Sequence, residues 1–241
     1  TLSVTGSTIS GNTAGDSGGI DCTGTTVISG TTISGNTGKN GAAITSFGSL
    51  NLTNSTISGN NAPSGDNNSG GIWTGIDSST TITNSTITNN SAAGANSAGG
   101  LYRSTGGVTL SNSVIAANQN NTSQPDVVAV GNTGITSNGF NLVGNRGSLT
   151  FNGTGDQSGT GASPLNPLLG PLANNGGSTR THALLGGSPA IDKGSNAGSG
   201  VTTDQRGLTR PVDLAGIADG SSPDGTDIGA YEVQADAVAP T

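Results

Sequence analysis

One frame recurs along the first half of this chain and limits what the chain can fold into. An isoleucine returns at Ile9, Ile33, Ile57, Ile87 and Ile115, spaced by 24, 24, 30 and 28 residues. Five positions before each stands an aliphatic residue (Val4, Ile28, Leu52, Ile82, Leu110), and three positions after each stands an asparagine (Asn12, Asn36, Asn60, Asn90, Asn118). A third column follows, in GGI, GAAI, GGIW and GGLY segments centred on Ile20, Ile44, Ile72 and Leu101. Length variation collects between the asparagine and this third column, in turn-forming stretches such as APSGDNNS and SAAGANSA. A fixed period of this size is the signature of stacked units, none of which buries a core alone.

Each apolar point is flanked by Thr, Ser or Asn, as in the two T-I-T segments at 81–83 and 86–88. That alternation has the period of two that belongs to strands. Strands stacked at about 4.8 Å per coil would align identical positions into ladders of Ile, Leu and Val. The asparagines would form an amide ladder of their own, since each amide carries both donor and acceptor. The expected fold is all-β: a parallel β-helix of about six coils of 24–30 residues, spanning 1–151. Its right hand is taken from known folds of this kind. A leucine-rich horseshoe lacks its Leu frames here, and a propeller lacks its aromatics. Composition needs this repeat to make sense. Gly, Ser, Thr and Asn fill 134 of 241 positions and Leu, Ile, Val and Phe only 45, a balance that without a period would read as disorder.

The frame weakens at Ile135 and Phe140, which are read as a degenerate sixth coil, and Leu149–Phe151 is read as the start of a last strand. Beyond 152 the chain gains charge, with nine of its fourteen acids and four of its seven bases. Residues 152–232 are expected to cap the open end of the stack, and 233–241 to be a linker.

The alternation of GGI or GAAI with I-x-x-N resembles the GGA[IL] and FxxN repeats of polymorphic outer-membrane proteins, with Ile in place of Phe. Over 166–232, the segments SPAID, DQRGLTRP and DIGAYE follow in the order found in bacterial choice-of-anchor Q proteins, which this region is similar to. The resemblance implies a large secreted or surface-attached bacterial protein, so an extracellular or cell-surface localisation. The chain opens within a repeat at Thr1 and closes on VQADAVAPT, and so reads as a segment of a longer or processed protein.

Seven scattered basic residues against fourteen acidic ones argue against nucleic acid as a partner, and no apolar run reaches 18 residues. The charged residues of 1–151 share no column: Asp16 and Asp66 fall in variable loops, and Asp21 and Asp77 follow the third column at different offsets. A paired-carboxylate catalytic site is therefore not expected, and no residue is assigned as catalytic. Cys22 reads as a small buried residue, and His182 as part of a packed stretch. Asp204, Arg206, Arg210, Asp227 and Glu232 are expected to form ion pairs locking the cap to the last coil. Asp213, Asp219, Asp224 and Asp227, in a Gly- and Pro-rich loop, are weak calcium candidates, and no other cofactor is expected.

Trp73 and Tyr102 follow the third-column residue in consecutive coils. With Ile72 and Leu101 inward, both rings should face outward beside the loop carrying Asp66, as a contact surface for a sugar or a protein, or as packing for the loop. Thr8 and Ser10, Thr32 and Ser34, Thr56 and Ser58, and Thr86 and Thr88 flank the anchor isoleucines as a two-column hydroxyl face, which resembles the T-x-T surface of β-helical ice-binding proteins. The leading expectation is a non-enzymatic surface or extracellular module for structure or adhesion, whose partners are carbohydrate, a host or neighbouring-cell surface, or further copies of itself. A carbohydrate-active or carbohydrate-binding β-helix is the second reading and ice binding the third.

Overall fold

The structure, a computed structural model, describes residues 1–241 except 121–124, 198, 222–223 and 236–241. Its first half is a solenoid of parallel sheets with about five turns. Face one stacks six strands: Leu2–Thr5, Thr25–Ser29, Ser49–Thr53, Ser79–Thr83, Gly107–Ser111 and Ile135–Ser137. Face two stacks Thr8–Ser10, Thr32–Ser34, Thr56–Ser58, Thr86–Thr88, Val114–Ala116, Leu142–Val143 and Gln157–Ser158. Face three carries the GGI column from Ile20–Cys22 through Ile44–Ser46, Ile72–Thr74 and Leu101–Arg103 to Val127–Ala129. A short ladder of Asn61–Ala62, Ser91–Ala92 and Gln119–Asn120 lies between faces two and three.

The pairing register reproduces the repeat frame. Ile33, Ile57, Ile87 and Ile115 sit directly over one another, as do Ile28, Leu52, Ile82 and Leu110. Apart from the first-coil members Val4 and Ile9, these columns are fully buried in one continuous core. Each such side chain contributes about 1.5–3 kcal/mol of apolar burial, so a few inward aliphatics per coil hold the stack.

Two corners need backbone with positive φ, and the sequence supplies it in register. Gly6, Gly30, Asn54, Asn84 and Asn112 take one corner, and Gly11, Gly35, Gly59, Asn89 and Ala117 the other. Glycine and asparagine tolerate that conformation best, which explains the S-G-N and N-S-T segments around each anchor. Phe140 occupies the first of these corners at φ 56°, so it is not the core residue of the sixth coil. That place belongs to Val143, paired with Ile115. Residues Leu149–Phe151 form no strand. Leu149 is buried in the core and Phe151 packs against it, so together they plug the end of the stack.

Of residues 152–232, only the first stretch covers that end, with Asp156 accepting from the Asn141 N–H and Gln157–Ser158 pairing with Leu142–Val143; the later residues do not. From an antiparallel pair, Leu169–Ala173 with Thr181–Leu184, onward, they run as a strap along the outside of face two. A second core joins Val114, Ala116 and Leu142 of the solenoid to Ala183, Leu184, Ala190, Ile191, Ile228, Tyr231 and Val233 of the strap. Val233, expected to open a linker, is thus packed. The sequence carries a signal for this arrangement: the outward positions of face two turn apolar at Val114, Ala116 and Leu142, and an apolar outer column must be covered. Among the described residues no helix is long and apolar enough to cross a membrane.

Candidate functional site

Three surfaces flank the solenoid, one for each group of residues singled out by the repeat. The first is the hydroxyl face. Thr8 and Ser10 are exposed and Ser34 is half-buried, but Thr32, Thr56, Ser58, Thr86 and Thr88 are buried beneath the strap. Thr32 donates to the Arg180 carbonyl (2.6 Å) and Thr56 to Gln205 Oε1 (2.6 Å), while Thr86 Oγ1 accepts from the Ala230 N–H (3.0 Å). Ser58 Oγ meets His182 Nε2 at 2.8 Å, and His182 Nδ1 lies 2.7 Å from the Gly170 carbonyl. A carbonyl only accepts, so Nδ1 carries a proton, and in the neutral ring Nε2 accepts from Ser58. Burial pushes the His182 pKa down, in keeping with that state. From the second coil onward these columns are a docking surface for the chain's own strap: Thr32, Thr56, Ser58 and Thr86 bond to it, and Thr88 is buried with its hydroxyl unpaired.

The second surface is the loop edge. Insertions of successive coils emerge together between faces two and three and hold one another: the Asn40 amide donates to Asp16 (2.7 Å), the Ala95 N–H to Asp66 (3.0 Å) and the Asn68 N–H to Ser97 Oγ (3.1 Å). Trp73 and Tyr102 are neighbours in register, but they do not form an exposed pair. Tyr102 is only 2% exposed, and its hydroxyl donates to Asn67 Oδ1 (2.9 Å), while Trp73 Nε1 donates to the Asn67 carbonyl (2.9 Å). Asn67, unremarked in the sequence, therefore clamps the Asp66 loop down over both rings. The aromatic that shares solvent with the half-buried Trp73 is Phe47, 42% exposed, with ring centroids 5.3 Å apart and planes at 59°. Phe47 trails its column residue, Ile44, by three positions rather than one, which hid the pairing in the sequence.

The third surface is the charge cluster of the strap. Asp204 pairs with Arg206 and Arg210 with Glu232, each at 2.7 Å and each buried. The Arg206 guanidinium also lies 3.6 Å from the centre of the Tyr231 ring. The expected pairs exist, but they knit the strap to itself along face two rather than to the last coil. Asp227 stands beside them and accepts from the Asp192 N–H (2.8 Å) and the Val233 N–H (2.6 Å). Burial first, and then the adjacent Glu232 carboxylate, hold its pKa well above the usual carboxylate range, and burial raises Glu232 against the pull of Arg210.

Of the calcium candidates, Asp213 and Asp219 both lie near the buried Asp192, whose pKa burial first and then their charges raise to about 6. Asp224 caps a turn, accepting from the Asn196 and Thr226 N–H groups (2.8 and 3.1 Å), Asp227 is committed as above, and Asp213 is exposed. Among the described residues no group of three or more His, Cys, Asp or Glu side chains is placed to hold a metal.

Two acids overlooked in the sequence prove central. Every ladder asparagine donates its Nδ2 to the Oδ1 of the next, Asn12 to Asn36, Asn60, Asn90 and Asn118, at 2.8–2.9 Å. The last donates to Asp126 Oδ1 (2.9 Å), a carboxylate that also accepts from the Asn118 N–H (2.7 Å) and the Asn145 N–H (2.6 Å). A parallel ladder runs Ser7, Thr31, Ser55, Ser85, Ser113, Asn141, each backbone N–H bonding the next side-chain oxygen, and ends at Asp156 Oδ1 (2.9 Å). An acceptor-only group is the natural terminus for a chain of donors. Burial raises Asp126 to about 6, against the three N–H groups that pull it down. No column marks Asp126 in the sequence, because it sits eight residues after Asn118 rather than one coil on.

No family model matches this chain, and neither a curated protein nor a solved structure matches it.

Proposed function

We propose that the chain is a non-enzymatic structural and adhesive module of the bacterial cell surface or extracellular matrix, in keeping with the resemblance of 166–232 to choice-of-anchor Q proteins. The observation that carries this reading is the loop edge. Sequence length varies almost only where successive coils expose stacked loops, while the body behind them is locked by two polar ladders and a lateral strap. A rigid rod with variable loops along one edge is suited to presentation, since variation there leaves the core register untouched. Five of the acids have structural roles: Asp126 and Asp156 end ladders, and Asp204, Asp227 and Glu232 are held by Arg or N–H donors inside the strap.

The test is adhesion of the labelled chain to intact bacterial cells, with soluble sugar products assayed in parallel. Retention without release of sugar products is expected. Replacing residues 62–69 by the shorter 37–41 turn of the second coil should lower retention, with circular dichroism checking that the strand content is kept. Release of reducing ends or unsaturated sugars, or retention indifferent to the loop swap, would overturn the reading.

A further inference from the structure

A groove of about 540 Å³ runs beside face one, away from the loop edge. Its floor is the outward side of the face-one strands, where Asn51 pairs in register with Thr81, and Thr53 with Thr83 and then Ser111. Strand geometry makes these a grid, with rows about 4.8 Å apart up the stack and residues two apart along each strand. Ser195, Ala197, Ser199 and Val201 of the strap form the wall. It is pinned by the Ser195 N–H to Asn112 Oδ1 (3.1 Å) and by the Asn196 N–H to Asp224 (2.8 Å). Gly194 permits the close approach, since a Cβ there would come within 2.3 Å of Asn112 Oδ1. Phe140, displaced from the core into its corner, closes one end.

The lining is wholly uncharged and consists mainly of hydroxyl and carboxamide side chains. One of those groups is an orphan. Asn84 is fully buried at the groove, its Oδ1 accepts from Asn112 (2.9 Å), and its Nδ2 has no hydrogen-bond partner. Asn54, its equivalent one coil earlier, carries a buried Oδ1 that is likewise unpaired, so the mismatch lies within the corner column behind the floor and not on the open surface.

An anion or nucleic acid would find no cation here, a metal no carboxylate, and an apolar ligand would strand the hydroxyls. A chain of vicinal hydroxyls, each both donor and acceptor, matches a grid of Asn and Thr groups that are also both. We propose that this groove binds a neutral polysaccharide chain lying along the stack, hydrogen-bonded by Asn51, Thr53, Thr81 and Thr83. The site is separate from the loop edge, so it stands or falls independently of the adhesive role proposed above.

The experiment titrates the whole chain by calorimetry with cellohexaose, xylohexaose, mannohexaose and maltohexaose, with the charged hexagalacturonate as a contrast. At least one neutral hexasaccharide is expected to bind, and hexagalacturonate not to. The T81V/T83V double variant keeps the β-branched shape and loses two hydroxyls, so affinity should fall about fivefold or more with the melting midpoint unchanged. T83E, which places a carboxylate on the floor, should abolish binding. Asn67→Ala, on the loop edge, should leave it intact. The proposal is overturned if no neutral hexasaccharide binds, if hexagalacturonate is preferred, or if binding survives T83E. It is equally overturned if the hydroxyl grid produces thermal hysteresis in ice without binding any glycan.

Discussion

Asn90 stands in the turn between Thr86–Thr88 and Ser91–Ala92, where asparagine is favoured, and is among the most connected side chains of the solenoid. Its Nδ2 donates to the carbonyls of Ile57 and Thr88 (both 3.0 Å) and to Asn118 Oδ1 (2.9 Å), and its Oδ1 accepts from the Asn60 N–H (3.0 Å) and Nδ2 (2.8 Å). Truncation would strand several buried groups at once, and each such group costs more than an average hydrogen bond returns. Asn90→Ala should therefore lower unfolding free energy by about 3 kcal/mol or more in urea titration. Asn12 stands at the start of the same ladder, is exposed, and only donates. Asn12→Ala should cost under about 1 kcal/mol, since water replaces what is lost. Equal costs at the two positions would show that the ladder is decorative. The column was legible in the sequence as five asparagines in register. Its terminus at Asp126 was not, because that contact is set by where the chain turns after the fifth coil.

At the scale of the element, the strap decides what face two is for. Threonines flanking the anchor isoleucines read equally well as a solvent face or a docking face, and only the partner segment distinguishes them. Gln205 shows how specific the fit is: Oε1 accepts from Thr56, and Nε2 donates to Thr32 (3.0 Å) and Thr179 (2.9 Å). His182 makes the fit sensitive to acid. Its pKa is depressed in the folded chain, so its contribution is fully present above the unfolded value of about 6.5 and is lost as pH falls through the folded value. Protonating Nε2 would remove the acceptor that Ser58 donates to. Asp126 acts in the opposite sense: raised to about 6, it contributes stability below its unfolded value near 3.9 that is lost as pH rises through about 6. A global melt would mix the two. Hydrogen exchange resolved by segment should show protection at 169–184 falling on acidification from pH 7 to pH 5, and His182→Gln should remove that pH dependence. Unchanged protection in the parent chain would count against the neutral-histidine clamp.

Over the whole molecule, stability should follow the order of stacking. A solenoid is close to a one-dimensional array, in which each coil leans on its neighbours and an end coil has only one. The first coil is an edge: Leu2 is 43% exposed, Val4 and Ile9 are half-buried, and the strap hydrogen bonds on face two begin at Thr32 in the second coil. The far end is plugged by Leu149 and Phe151 and flanked by the second core. Amide exchange should therefore be fastest in Leu2–Ser10, slower in 25–34, and slowest in the coils at 79–116, as read by mass spectrometry of peptic fragments. Uniform exchange along the stack would mean that the solenoid opens as one unit.

The repeat frame alone determined the strands, the inward columns, the two left-handed corners and the asparagine ladder, because each depends on residues in one coil meeting their equivalents in the next. Everything that joins unlike segments was decided only in three dimensions. The strap's course along face two, the burial of the Thr columns, the Asn67 clamp that covers Tyr102, and the groove at Asn84 bring together residues from about 30 to more than 100 positions apart. No period links such pairs. Their contacts follow from which outward positions happen to be apolar or unpaired, and from which later segment is shaped to cover them.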